Sequence, residues 1–289
     1  MSWPNAGRGA DGQNGATGRR AFLGLLILLA VVGCRPAAPP NVPIPPSATP
    51  GAFSNADWAA VLSAVVTPDG YVGWNIVQRD AGVRQALMRY IGLIGAVSPV
   101  NHPERFPTAS DRLAYWINAI NATCMYAAIK HDYPATMLIG RPPGAIFSSE
   151  EFPFGGKRMT LDKAVRLEVE RAGDARAFFA LNFCAASSPP LRTRPYEGAT
   201  LDAQLMDQGQ RYLSDPRAAV RNGDAVKLND LLLFSHQGDF LAAFVKTFGR
   251  KSAGLLEALQ PYVQSNSPIV GATKVEPLGF DWSLNRPPR

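Results

Sequence analysis

The residues best suited to nucleophilic chemistry cluster in one stretch, Cys184-Ala185-Ala186-Ser187-Ser188-Pro189-Pro190. A thiol or hydroxyl at the end of a strand is well placed to attack, provided a base lies within hydrogen-bond reach. The three histidines, His102, His131 and His236, have no informative spacing to Cys184, Ser187 or Ser188. Cys184, Ser187 and Ser188 are thus the nucleophile candidates, and His131 and His236 the candidate bases, of a hydrolase or transferase reading. Neither a Gly-x-Ser-x-Gly elbow nor a His-Glu-x-x-His cluster occurs, and the sequence implies no cofactor and no metal.

A second constellation is polar but not ionisable. Asn118 and Asn121 lie three apart in a stretch with helical periodicity. Asparagine is a mediocre helix former, and each amide needs partners for two donors and an acceptor. At 100° per residue Asn121 falls at the edge of the apolar stripe and Asn118 further round. Two roles are open: a polar ledge on a ligand cleft, or ties from the helix to a neighbouring loop. Asn118, Asn121 and Ser187 are the candidate ligand contacts.

The N-terminal segment carries a different chemistry. Arg19-Arg20 precede an apolar run from Ala21 to Val32, then Gly33 and Cys34. Twelve such residues suit a signal-peptide core and are short for a bilayer span. Val31-Val32-Gly33-Cys34 resembles the bacterial lipobox, whose cysteine is diacylated, and Arg19-Arg20-Ala21-Phe22-Leu23 resembles the twin-arginine export motif. Residues 1–33 are therefore expected to be a signal peptide and Cys34 the point of lipid attachment, with two or three acyl chains giving durable anchoring. Arg35 follows where an Asp commonly retains lipoproteins at the inner membrane. The expected location is the periplasmic face of the outer membrane, if the organism has two membranes. Seven prolines between Pro36 and Pro50 make residues 35–50, within the segment 34–52, a stiff tether roughly 45–50 Å long at about 3.1 Å per residue.

The elements that must position these residues follow from periodicity. Residues 54–66 are expected to be helical, burying Trp58, Val61, Leu62 and Val65. Asp69-Gly70 marks a turn, and 81–97 form a second helix through Leu87, Tyr90, Ile91 and Ile94. The clearest helix is 110–131, with Ser110 as cap, Asp111 complementing the helix N-terminus, and Leu113, Trp116, Ile117, Ile120, Cys124, Ala127 and Ala128 as the buried stripe. A turn-rich region, 141–157, leads to a charged helix, Leu161 to Ala172. Ala177 to Phe183 is short, apolar and bounded by turn signals, which predicts a buried strand. Helices are expected over 201–213, 227–234 and 239–247. The reading is α+β: a mostly helical single domain, 53–289, with a small central sheet.

Hydrophobic residues make up 46% and charged residues 18%, enough apolar material for a core. The net charge of +6 comes from scattered Lys and Arg in runs no longer than two. That pattern is a solvated surface, not a nucleic-acid footprint, which concentrates cations on one helix or arm. Once Cys34 is acylated, Cys124 and Cys184 remain, either as a pair or as two buried thiols.

Across these segments the chain resembles the domain-of-unknown-function family numbered 547. The resemblance rests on Trp58…Asp69-Gly70-Tyr71-Val72-Gly73-Trp74, on Tyr115-Trp116-Ile117-Asn118-Ala119-Ile120-Asn121-Ala122, and on Phe179-Ala180-Leu181, Ser187 and Pro189-Pro190-Leu191. Tyr196, Leu201-Asp202-Ala203-Gln204-Leu205, Asp239-Phe240 and Phe280-Asp281-Trp282-Ser283-Leu284-Asn285 fit as well. It implies a fold and no reaction. Where the family often has Glu and His, this chain has Val165 and Arg166; where it often has a further His, Phe178. Its two cysteine positions fall on Phe183 and Ser188, with Cys184 displaced by one. Any thiol–imidazole–carboxylate chemistry suggested by the family pattern thus lacks most of its parts here.

The leading expectation is a non-catalytic, lipid-anchored envelope domain that binds a protein, peptide or cell-wall partner. The alternatives are the Ser- or Cys-based hydrolase or transferase and a purely structural lipoprotein. Cys34→Ala is expected to abolish incorporation of labelled palmitate and to release the protein from the membrane fraction. An unchanged membrane fraction in Cys34→Ala cells would refute acylation as the anchor.

Overall fold

A computed structural model describes residues 53–235, 245 and 254–288. Cys34, the expected signal peptide and the expected tether lie outside these residues, as do His236 and, but for Val245, the helix expected over 239–247.

The helical expectations hold where the periodicity is long. Helix α1 (Ala56–Val65) buries Trp58, Val61, Leu62 and Val65. A short α2 (Trp74–Arg79) follows the turn at Gly70, and α3 (Ala81–Ala96) buries Leu87, Tyr90, Ile91 and Ile94. Helix α4 (Ala109–Lys130) is the hub of the larger core. Its cap is Thr108, not Ser110: Thr108 Oγ1 accepts from the Asp111 N–H, and the Asp111 carboxylate accepts from the Thr108 N–H, a reciprocal capping box. Every residue of α4 from Leu113 to Ala128 is buried, so the one-sided stripe read from the sequence understates it. A helix enclosed all round has no face on which a buried asparagine can meet water.

The region expected to be only turns holds a short helix, α5 (Ala145–Ser148), and a two-stranded antiparallel hairpin, β1 (Glu151–Phe154) and β2 (Lys157–Thr160), whose tip N–H groups donate to α3 carbonyls. Leu161 to Ala172 is helical as expected, but it is wound unevenly. A first turn, α6 (Leu161–Ala164), passes into a π-helical turn over Val165–Val169, closed by the Glu170 N–H on Val165 O, and then a 3-10 turn, Glu170–Ala172. Helix α7 (Leu201–Leu213) matches its expected bounds.

Two expectations fail. Lys227–Phe234 is not a helix: strand β4 (Ala225–Asn229) lies between β3 (Ala219–Asn222) and β5 (Lys274–Gly279), antiparallel to the first and parallel to the second, and a π-helical turn follows at Leu231–Ser235. Ala177 to Phe183 is not a strand. It is the end of a 3-10 helix (Ala175–Phe179) running into an irregular segment. The α+β class stands, with two small sheets, neither containing residues 177–183.

That irregular segment is buried from Ala177 to Leu191, save Ala186 and Ser187. Its backbone groups have no sheet neighbours, yet buried N–H and C=O groups must be paired. Side-chain amides pair them. Asn121 accepts from the Asn182 N–H (2.8 Å) and donates to Ala180 O (2.9 Å), and Asn118 does the same with Tyr196 N–H (3.0 Å) and Tyr196 O (2.8 Å). Gln208 of α7 donates to Phe179 O and Pro190 O, and Asn182 donates to Pro189 O while accepting from the Cys184 N–H. The C-terminal segment closes the other side: Ala186 donates to Ser283 O, and Asn285 donates to Cys184 O.

Gly70 shows how tightly the loop is seated. Its φ is +77°, and a Cβ there would stand 2.4 Å from Pro190 Cβ, so glycine alone fits both the backbone and the contact.

Candidate functional site

The nucleophile candidates serve this buried loop. Cys184 is fully buried, with a left-handed backbone at φ +57°, and burial pushes its thiol pKa well up. A thiol so held is a poor source of thiolate. Cys124 is likewise buried and its thiol is pushed up, by burial first and by Cys184 second; the two thiols are unpaired. Ser188 has no exposed surface, and its Oγ accepts from the Phe183 and Ala185 N–H groups, which makes it a staple of the turn. Ser187 is partly exposed, but its Oγ accepts from the Asp281 N–H, its own N–H donates to Asp281 O, and its carbonyl accepts from Asn229.

His131 ends α4 and binds Glu150 through Nε2 at 2.8 Å, while Lys130 holds the other Glu150 oxygen at 2.5 Å. Burial raises the Glu150 carboxyl, but hydrogen bonds from Lys130 and His131 outweigh it, and the pKa falls below its ordinary value. His102 binds Glu104. Neither His102 nor His131 is hydrogen-bonded to a serine or cysteine among the described residues. Among those residues no group of three or more His, Cys, Asp or Glu is placed to hold a metal ion.

Asn118 and Asn121 are 1% and 3% exposed, with both ends of each amide engaged by backbone. Asn118 does not sit out toward a cleft, as the simple 100° wheel suggested, because residue 196 folds over that side of α4. The geometry favours ties over a ligand ledge for both.

An open cleft lies elsewhere, about 490 Å³ in volume, between the first half of α4, the π-helical turn and the start of α7. Gly198 brings two of these walls together: a Cβ there would lie 1.9 Å from the Asp111 carboxylate, which the capping box fixes in place. Leu113, Trp116, Leu167 and Leu201 give the cleft apolar lining, and the half-exposed Val100 stands at its edge. Charges ring it. Arg176 is bound to Asp174 at 2.8 Å and Asp202 at 2.7 Å, and Arg112 donates to the carbonyls of Phe106 and Pro107.

Glu168 and Arg171 are different. Both line the cleft, and neither side chain makes a hydrogen bond or ion pair among the described residues. Burial raises the Glu168 carboxyl above its ordinary pKa, only partly opposed by Arg171. Glu168 belongs to the π-helical turn, a geometry that recurs at functional sites because the extra residue re-aims neighbouring side chains.

The buried loop, the two asparagine ties and three walls of the cleft all fall between residue 105 and residue 213. Residues 105–213 match the family model Protein of unknown function, DUF547. The match supports the family read from the motifs, and its boundaries run from just before α4 to the last residue of α7. No curated protein and no solved structure matches the chain.

Sequence reasoning missed the cleft. Trp116 and Leu113 were read only as core, and Glu168 and Arg171 only as part of a charged helix. The available signal was their i, i+3 spacing, which puts opposite charges on one face. That this face looks across at Trp116 depends on long-range packing.

The raised Glu168 carboxyl gives a signed pH prediction. The folded state holds this proton more tightly than the unfolded chain, so stability falls as pH rises from the ordinary carboxylate range through the raised pKa. Glu168→Gln should therefore raise the melting temperature near about pH 7, with the gain vanishing near about pH 4. A loss of stability at neutral pH would show that the charged carboxylate has a stabilising partner.

Proposed function

We propose that this protein is a lipid-anchored envelope protein whose domain binds a protein, peptide or cell-wall partner in the cleft between α4 and the π-helical turn. The observation that carries the binding reading is the cleft itself. It joins an apolar lining to two charged side chains, Glu168 and Arg171, that make no hydrogen bond or ion pair among the described residues. Sites for small ligands typically combine such a lining with a few convergent polar groups.

The candidate nucleophiles support binding over a Ser- or Cys-based reaction, because Cys184 and Ser188 are buried and engaged in holding the loop, and the partly exposed Ser187 has its Oγ held by the Asp281 N–H. The positions where the family pattern has ionisable residues add to this: Val165, Phe178 and Phe183 are buried, and Phe183 packs edge-on against Phe147. Anchoring rests on the lipobox-like Val31-Val32-Gly33-Cys34 and the proline-rich tether.

A photo-crosslinking residue in the full chain tests the cleft in cells. Placed at Val100, on the cleft edge, it should give a discrete adduct; at the exposed Ile76, which does not line this cleft, it should not. Filling the cleft with Ala172→Trp should remove the Val100 adduct. An adduct that survives Ala172→Trp, or equal labelling from both positions, would contradict the cleft as the binding site.

A further inference from the structure

The charges around the cleft are not equivalent. Arg176, Asp174 and Asp202 bind one another, and Arg112 is held by two backbone carbonyls. That leaves Glu168 and Arg171 as an anion and a cation on one wall, one turn apart, each without a bonded partner among the described residues. Opposite charges this close in sequence on a helical segment often pair directly. Here they do not, so both can reach a ligand between them. The facing surface, Leu113 and Trp116, is apolar.

From this juxtaposition we infer that the cleft takes a short apolar peptide of the dipeptide class with both ends free, its ammonium on Glu168, its carboxylate on Arg171 and its side chains against Leu113 and Trp116. This rests on the cleft being the binding site. The wall matches a zwitterion in sign: it presents one anion and one cation, as the two free termini of a dipeptide require. A purely anionic ligand would meet Glu168 and a purely cationic one Arg171, so each would bring like charges together. A neutral apolar ligand would leave both side chains partly desolvated and unpaired, which is costly.

The experiment is calorimetric titration of the full chain, in mild detergent, with leucyl-leucine, N-acetyl-leucyl-leucine and leucyl-leucine amide. Charge-assisted hydrogen bonds to the half-buried Glu168 and the exposed Arg171 predict that each blocked form binds about tenfold more weakly than the free dipeptide. Glu168→Gln should erase the discrimination against the acetylated form while keeping that against the amide; Arg171→Gln should do the reverse. Blocked forms that bind as well as the free dipeptide, variants that keep both discriminations, or no heat from the free dipeptide at millimolar concentration would each overturn the assignment. If that happens while the Val100 cross-link persists and remains sensitive to Ala172→Trp, the dipeptide assignment falls and the cleft stands. If the cross-link is lost as well, both fall.

Discussion

The fold depends on one constraint: an irregular segment runs through the interior, and its peptide groups must be paired without a sheet. Side-chain amides meet that requirement because each offers a donor and an acceptor in one plane, as a peptide group does. Asn121 grips Ala180 and Asn182, Asn118 grips Tyr196 at both its N–H and C=O, and Gln208 joins Phe179 to Pro190. Leaving one such buried group unpaired costs about 1–3 kcal/mol. A domain holds roughly 5–15 kcal/mol in total, so these few amides are a large share of what separates the native state from a loosened one.

The same ties set the geometry of the cleft. Helix α4 carries Asn118 and Asn121 toward the loop and Leu113 and Trp116 toward the cleft, so the loop's position and the cleft wall are fixed to one rigid element. Gln208 anchors α7 to the loop from the other side, and Gly198 lets the start of α7 approach Asp111. The polar residues that look catalytic in the sequence, Cys184 and Ser188, belong to this scaffold. Of those that line the open cleft, Glu168 stands on the π-helical turn, whose extra residue changes the direction of the side chains around it, and Arg171 on the 3-10 turn that follows.

Much of the fold was legible because it is helical and amphipathic. Trp58, Val61, Leu62 and Val65 fix α1 by spacing alone, and α3 and α7 follow the same logic. Ala177 to Phe183 misled because a short apolar run between turn signals reads as a strand whether its partners are strands or asparagines. The hairpin over Glu151–Thr160 was hidden by its Pro153 and by Gly155-Gly156, which read as loop. The cap was placed at Ser110 because serine is a good cap; the reciprocal bond with Asp111 that makes Thr108 the cap is visible only in the structure. Asn118 and Asn121 were recognisable as residues needing partners, but the partners lie 59 to 78 positions away. The cleft was invisible for the same reason, since its walls come from segments distant in sequence.

Amide hydrogen exchange, resolved by residue, tests the central claim most directly. The Asn182 and Tyr196 N–H groups lie in irregular backbone, yet each donates to a buried side-chain amide. The account predicts protection at both comparable to that of the α4 interior, with Asn121→Ala stripping it from Asn182 while Tyr196 stays protected. Exchange at Asn182 and Tyr196 as fast as in an exposed loop would mean that the amides do not hold the segment, and that the interior is kept together by apolar packing alone.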